Sequence, residues 1–155
     1  MSKKILCPID GTPHSQHALI EATDLAMKSG GELSVCIVNV AHGGGRGPLI
    51  LHWTDPDAQK ILDDAAVTVR SHGGTIAHSA VVTDREAASG IVGYAEMNGI
   101  NHIVMGTGDK RGLSRLMLGS VAADVAARAH CSASWTSVST GRPSVSRISA
   151  NTGSA

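Results

Sequence analysis

Residues 5–13, ILCPIDGTP, contain the strand-to-helix transition that decides the fold. Ile5–Ile9 is a short apolar run, which is typical of a strand buried on both faces. Thr12 and Pro13 follow it, and these residue types favour an N-cap and a first helical turn. The stretch therefore predicts a buried strand that leads almost directly into a helix.

The same alternation of apolar strand and amphipathic helix repeats along the chain. Further strands are predicted at Leu33–Val40, Thr75–Val82, His102–Met105 and Ser132–Val138. The intervening helices begin at Thr12–Pro13, at Asp55–Pro56, at a capping-box spacing over Thr83–Glu86, and near Gly119; an irregular loop is expected over His42–Pro48. Such alternation predicts an α/β fold, a single doubly wound domain with a parallel sheet covered by helices on both faces. We assign residues 1–138 to this domain and residues 139–155, rich in Ser and Gly, to a disordered tail.

Composition limits the classes of partner. The 13 basic and 13 acidic residues give a formal net charge of zero, so no global field attracts nucleic acid or anionic lipid. No apolar run is long enough to span a bilayer, and the N-terminus leads into a strand instead of a signal-peptide core, so we expect a cytoplasmic location without membrane contact. The three cysteines lack CxxC spacing and are interpreted as buried thiols.

A glycine-rich basic loop joins the fourth strand to the last helix. Residues 106–120 read GTGDKRGLSRLMLGS and include Lys110, Arg111 and Arg115. Glycines let a backbone approach a ligand closely, and the N-terminus of the helix that follows offers unpaired N–H groups to an anion. This pattern favours a phosphate site and hence a nucleotide. The alternative is that Gly106 and Gly119 only allow tight packing, since neither GxxxxGK[ST] nor GxGxxG is present.

Together, the opening Lys4–Thr12 and this loop resemble the universal stress protein family over roughly residues 3–138. Nucleotide-binding members of that family carry a glycine, two residues, a second glycine, nine residues, and then glycine with serine or threonine. Gly106 matches the first glycine and Gly119–Ser120 the close, but Asp109 stands where the second glycine belongs. That carboxylate either repels phosphate, with basic neighbours offsetting the repulsion, or holds a Mg²⁺ ion bound to the phosphates.

The resemblance implies a five-stranded sheet in the order 3-2-1-4-5 and an adenine nucleotide, ATP above all and with Mg²⁺ as an option, at the carboxyl ends of strands one and four. It implies these nucleotide-binding residues: Pro8, Ile9, Asp10, Val40, Met105, Gly106, Thr107, Asp109, Gly119, Ser120 and Val121. A plain turn remains the alternative for Asp10–Gly11.

Two classes of function follow. One is a regulatory protein that binds a nucleotide, with at most weak ATP hydrolysis because no catalytic base accompanies Ser120. The other is a dimeric interaction module with the same fold and an unidentified protein client. The resemblance implies a homodimer through the fifth strand. Trp135 is the candidate apolar anchor in that strand, and the alternative is that its ring covers the last helix. His14 and His17 share a helix face without a third metal ligand and are interpreted as surface residues.

Overall fold

The computed structural model describes residues 2–107, 119–137 and 144–148. Its strands are β1 Lys4–Pro8, β2 Glu32–Gly43, β3 Leu49–Leu51, β4 Ile76–Asp84, β5 His102–Thr107, β6 Ser132–Ser137 and β7 Ser144–Ile148. Its helices are α1 Pro13–Ser29, α2 Asp55–Ser71, α3 Ala87–Met97 and α4 Gly119–Arg128.

Five parallel strands form the centre of the sheet in the order β4-β2-β1-β5-β6. Counted among the parallel strands alone, this is the order 3-2-1-4-5, which confirms the predicted fold. The strand order reverses beside β1. In such a sheet a crevice opens at the carboxyl ends of the strands on either side of the reversal, and ligands bind there.

Helices cover both faces of the sheet. On one face, β1 and β2 residues such as Cys7 and Val35 pack with α1 and α2. On the other face, Leu6, Cys36 and Met105 pack with α3 and α4. No helix in the described part of the chain is long and apolar enough to cross a membrane.

The first two helices begin as predicted. The Thr12 hydroxyl accepts a hydrogen bond from the Ser15 amide at 3.3 Å, and the Thr54 hydroxyl accepts one from the Asp57 amide, also at 3.3 Å. Each threonine satisfies a backbone donor that the helix itself leaves unpaired. Helix α1 ends at Gly30, whose φ of 63° is the left-handed conformation that glycine adopts most easily.

The predicted capping box at the start of α3 is wrong. Thr83 and Asp84 belong to β4, where they pair with Asn39 and Val40 of β2, and the helix starts at Ala87. The N-cap residue is Glu86, whose side chain makes no capping hydrogen bond. Pairing with β2 occupies the backbone that the box would have used.

The expected irregular loop over residues 42–48 is shorter in the structure and joins two paired strands. β2 continues to Gly43, and β3 returns antiparallel to it, with Ala41 opposite Leu51 and Gly43 opposite Leu49. The glycines at 43, 44 and 45 have φ values of 80°, 92° and 85°, which turn the chain back at little steric cost. We call residues 41–51 the β2–β3 hairpin.

The strand β7 lies in the segment predicted to be a disordered tail. It pairs antiparallel with β6, from Ala133 opposite Ile148 to Ser137 opposite Ser144. The outer edge of β6 therefore already has a hydrogen-bonding partner, which corrects the expectation that this edge is free to pair with a second copy. Residues 138–143 and 149–155 lie outside the described residues, so the predicted domain boundary stays a prediction.

Candidate functional site

A pocket opens at the carboxyl edge of the sheet, where β1 and β2 end beside the start of α3. We call it the edge pocket. Its empty space, with the open mouth and the solvent in it included, is about 410 Å³. It is lined by Pro8, Ile9, Asp10, Val38, Val40, His52, Trp53, Ala87 and Ile91.

Asp10 is the carboxylate on the pocket lining, and the turn before α1 fixes its position. Its Oδ1 atom accepts hydrogen bonds from the Thr12 amide at 3.0 Å and from the Thr12 hydroxyl at 2.6 Å. Gly11, between them, has a φ of 77°. Thr12 is also the N-cap of α1, so the helix start and the carboxylate are built as one unit. Asp10–Gly11 thus forms a turn, and this turn places Asp10 on the pocket.

The end of β2 supplies side chains to two sides of the sheet. Val38 and Val40 line the edge pocket, whereas Asn39, between them, is buried with 1% of its surface exposed. The side-chain Nδ2 of Asn39 donates to the Trp53 backbone carbonyl at 2.9 Å, and its Oδ1 accepts from the Trp53 backbone N–H at 2.8 Å. Asn39 thus ties β2 to the residue that precedes the N-cap of α2.

His52 and Trp53 form an aromatic wall on the pocket. Their rings are 4.7 Å apart between centroids and nearly perpendicular, at 86°. The His52 amide donates to the Val40 carbonyl at 3.0 Å, and Trp53 packs partly against the core below α1 and α2. Neither residue was predicted for the site, because the contact that brings them there spans 14 residues of chain.

The predicted site residues do not all lie in one place. Four of them line the edge pocket together: Pro8, Ile9, Asp10 and Val40. Met105 does not line it, because its fully buried side chain packs in the core against α3 and α4, and Val121 packs half-buried against the same core. Thr107 ends β5 and Gly119–Ser120 begin α4; Asp109 and the basic residues of the loop lie outside the described residues.

Gly106 occupies a place where a side chain does not fit. A Cβ atom built on it would lie 2.6 Å from the His14 carbonyl oxygen, closer than real Cβ atoms approach. The first glycine of the motif therefore lets the end of β5 pack against the first turn of α1. This supports the packing explanation for Gly106 and leaves its part in phosphate binding a prediction.

The cysteines and histidines add no second reactive centre to the described residues. Cys7 pairs in register with Val35, so Cys7 and Cys36 project to opposite faces of the sheet and do not meet. Burial raises the pKa of the Cys7 thiol far above its usual value and that of Cys36 to about 12. Within residues 2–107, 119–137 and 144–148, no three His, Cys, Asp or Glu side chains come together to hold a metal.

The chain was compared with known protein families and with individual proteins. The model of the universal stress protein family matches residues 1–133. The chain belongs to the universal stress protein family. It is 33% identical over 135 residues to universal stress protein MJ0531 of Methanocaldococcus jannaschii, covering 83% of this chain and 78% of that protein. It is 28% identical over 144 residues to YxiE of Bacillus subtilis, covering 84% and 96%.

Solved structures of the family share the fold. A universal stress protein in complex with cAMP superposes with a TM-score of 0.65 at 21% identity, covering 84% of this chain and 93% of that one. The universal stress protein of Archaeoglobus fulgidus in complex with dAMP gives a TM-score of 0.63 at 22% identity, covering 86% and 95%. These likenesses show the common architecture.

Proposed function

We propose that this protein binds an adenine nucleotide and acts as a regulatory universal stress protein. The observation that carries the proposal is the meeting of Pro8, Ile9, Asp10 and Val40 in one pocket at the carboxyl edge. Two structural relatives are described as complexes with cAMP and with dAMP, both adenine nucleotides. The position beside the reversal of strand order is where doubly wound sheets bind nucleotides.

The lining of the edge pocket suits a base and a sugar at different places. Val38, Val40 and Ile91 present aliphatic surface, which suits the flat apolar faces of a purine. The Asp10 carboxylate is a hydrogen-bond acceptor, which suits a ribose hydroxyl. We therefore place the base against the end of β2 and the start of α3, and the ribose beside Asp10.

The phosphates would then extend toward the end of β5 and the start of α4. α4 begins at Gly119–Ser120, where the motif of the family closes. A helix start offers unpaired N–H groups and the positive end of the helix dipole. ATP as the ligand, and Mg²⁺ held at Asp109, are the finer parts of this proposal. The proposed role is regulatory: nucleotide occupancy changes the conformation or the partners of the protein.

A second candidate function, a protein-interaction module, is favoured by one observation. Leu49, Ile50 and Leu51 of β3 are consecutive aliphatic residues that are 55%, 61% and 39% exposed. Contiguous exposed apolar surface is typical of contact sites. This function and nucleotide binding are separated by the following experiment.

Isothermal titration calorimetry with AMP, cAMP and ATP, the last with and without Mg²⁺, tests the proposal. We expect heat of binding for at least one of them, and loss of binding in Ala87→Trp, which fills the edge pocket. Ala127→Trp, on an exposed position of α4, is the matched control and should bind as the wild type does. Folded wild-type protein that gives no heat at millimolar nucleotide would exclude nucleotide binding and favour the interaction module.

A further inference from the structure

Asn39 is a polar side chain in a place that is otherwise apolar. It lies near the end of β2, and its surface is 1% exposed. A buried amide needs hydrogen-bond partners, and an apolar residue of similar size would fill the same space without that requirement. The presence of an asparagine therefore calls for a role that its hydrogen bonds fulfil.

Those hydrogen bonds go to the backbone of one residue. The Asn39 side chain donates to the Trp53 carbonyl and accepts from the Trp53 amide, at 2.9 and 2.8 Å. The His52 amide adds a bond to the Val40 carbonyl at 3.0 Å. Three hydrogen bonds thus fix two consecutive residues, 52 and 53, against the end of β2.

The β2–β3 hairpin, which directly precedes residues 52 and 53, is also held by Arg85. The Arg85 guanidinium donates to the Gly43 carbonyl at 3.1 Å, across 42 residues of chain. The β2–β3 hairpin is therefore tied at Gly43 near its turn and at residues 52–53 where it ends. Its glycine-rich turn does not have to position the aromatic wall.

The aromatic wall and Asn39 differ in their place relative to the edge pocket. His52 and Trp53 line the edge pocket, whereas Asn39 is absent from the lining. A binding surface that is rigid before the ligand arrives avoids the entropy cost of ordering it on binding. An amide that contacts no ligand can influence affinity in this way.

We propose that His52 and Trp53 form the base-contacting wall of the nucleotide site, and that Asn39 is the positioning residue that holds this wall in place. The inference rests on the proposed function and deepens it, because it assigns recognition of the base to residues outside the family's glycine motif. Flat aromatic bases stack on aromatic side chains, and such contacts tolerate variation in the base. The ligand class is accordingly a nucleotide with a flat base.

Trp53 itself supplies the probe. The chain has two tryptophans, so Trp135→Phe leaves Trp53 as the single indole fluorophore. In this background we expect AMP to change the Trp53 emission, while ribose 5-phosphate, which lacks the base, leaves it unchanged. Affinity for AMP is measured in parallel by calorimetry.

Two pairs of variants separate the wall from its support. His52→Ala should weaken AMP binding about five- to a hundredfold, the effect of one lost stacking contact, while His78→Ala, an exposed histidine on β4, should not. Asn39→Leu should weaken AMP binding about tenfold and shift the Trp53 emission of the free protein, through lost preorganisation. Its control is Asn101→Leu, which removes an asparagine-to-backbone bond to Lys4 at the opposite end of the sheet.

The outcomes distinguish the inference from the proposed function. If the wild type does not bind AMP, both the inference and the proposed function are wrong. AMP binding without a change in Trp53 emission, and with His52→Ala within twofold of wild type, overturns the wall. Asn39→Leu that remains folded by circular dichroism and binds AMP normally overturns the role of Asn39. If Asn39→Leu does not fold, Asn39→Asp, which keeps the acceptor and loses the donor, takes its place with the same expected weakening.

Discussion

At the scale of single residues, Gly106 shows how one position serves both packing and a sequence motif. We expect Gly106→Ala to lower the free energy of unfolding by about 1–3 kcal/mol, because the added methyl group meets the His14 backbone at 2.6 Å and a backbone cannot swing aside. Chemical denaturation of the variant and the wild type measures this change in the free energy of unfolding.

Gly93 is the matched control for this substitution. It lies in the middle of α3, and a Cβ built on it meets nothing within 4 Å. Gly93→Ala should stabilise the protein by about 0.5–1 kcal/mol, since alanine favours the helix more than glycine does. Equal effects of the two substitutions would show that the contact with His14 is not decisive.

Asp109 has two opposite explanations, repulsion of the phosphates and retention of Mg²⁺. A carboxylate about 4 Å from a phosphate oxygen costs roughly 1–4 kcal/mol at dielectric constants between that of water and that of a protein surface. Asp109→Gly should therefore tighten ATP binding if the carboxylate repels phosphate, and weaken it in the presence of Mg²⁺ if the carboxylate holds the metal. Calorimetry with and without Mg²⁺ gives the sign. An unchanged affinity in both conditions contradicts both explanations.

Three residues of the edge pocket were named from the family resemblance, and their position in the sequence agrees with it. Pro8, Ile9 and Asp10 stand at the end of a clear apolar run, and the carboxyl ends of strands in such sheets are the ligand edge. His52 and Trp53 were not named, because their place depends on the side-chain contact of Asn39. A lone asparagine inside an apolar strand was the available signal, and it does not name its partner.

At the scale of elements, local capping chemistry predicted the helices it controls. α1 has an N-cap threonine followed directly by proline, and α2 has an N-cap threonine, Thr54, with proline as its second helical residue. The third helix departed from its capping-box pattern because β4 is longer than its apolar run indicated. Strand pairing with β2 outweighed a local preference worth only about 1 kcal/mol.

Thr54 connects the start of α2 to the aromatic wall. Thr54→Ala removes the bond to the Asp57 amide and should cost about 0.5–2 kcal/mol of stability. Thr68→Ala is the control, because Thr68 lies within the same helix and its hydroxyl donates to the helix carbonyl of Asp64. Its change to a strong helix former should be neutral or slightly stabilising. Thermal unfolding compares them, and equal melting temperatures for the two variants would argue against a capping role.

At the scale of the whole molecule, alternation of strand and helix was sufficient to predict the layers, and the family resemblance supplied the strand order. β3 and β7 were not predictable, because both add antiparallel strands of low apolar periodicity to strands that already exist. β7 has a consequence for assembly. It occupies the edge of β6 through which the family resemblance implies a homodimer.

Removal of β7 should therefore change the oligomeric state. A chain ending at residue 143 exposes the backbone donors and acceptors of β6, and exposed edges pair with other edges. We expect it to self-associate more tightly than the full chain in analytical ultracentrifugation. A chain ending at residue 149 retains β7 and should match the full chain. If the shortened and full chains associate equally, β7 does not protect that edge.

The central claim is that the nucleotide lies at the carboxyl edge formed by β1 and β2. A second pocket between α1 and α2, lined among others by Gln16, Ile61 and Ala65, offers a comparable volume and a clear alternative. The most direct test is an AMP titration of ¹⁵N-labelled protein followed by amide chemical shifts. The largest shifts should fall on Asp10, Val40 and Trp53. Shifts centred on Gln16, Ile61 and Ala65, or none at millimolar AMP, would contradict the claim.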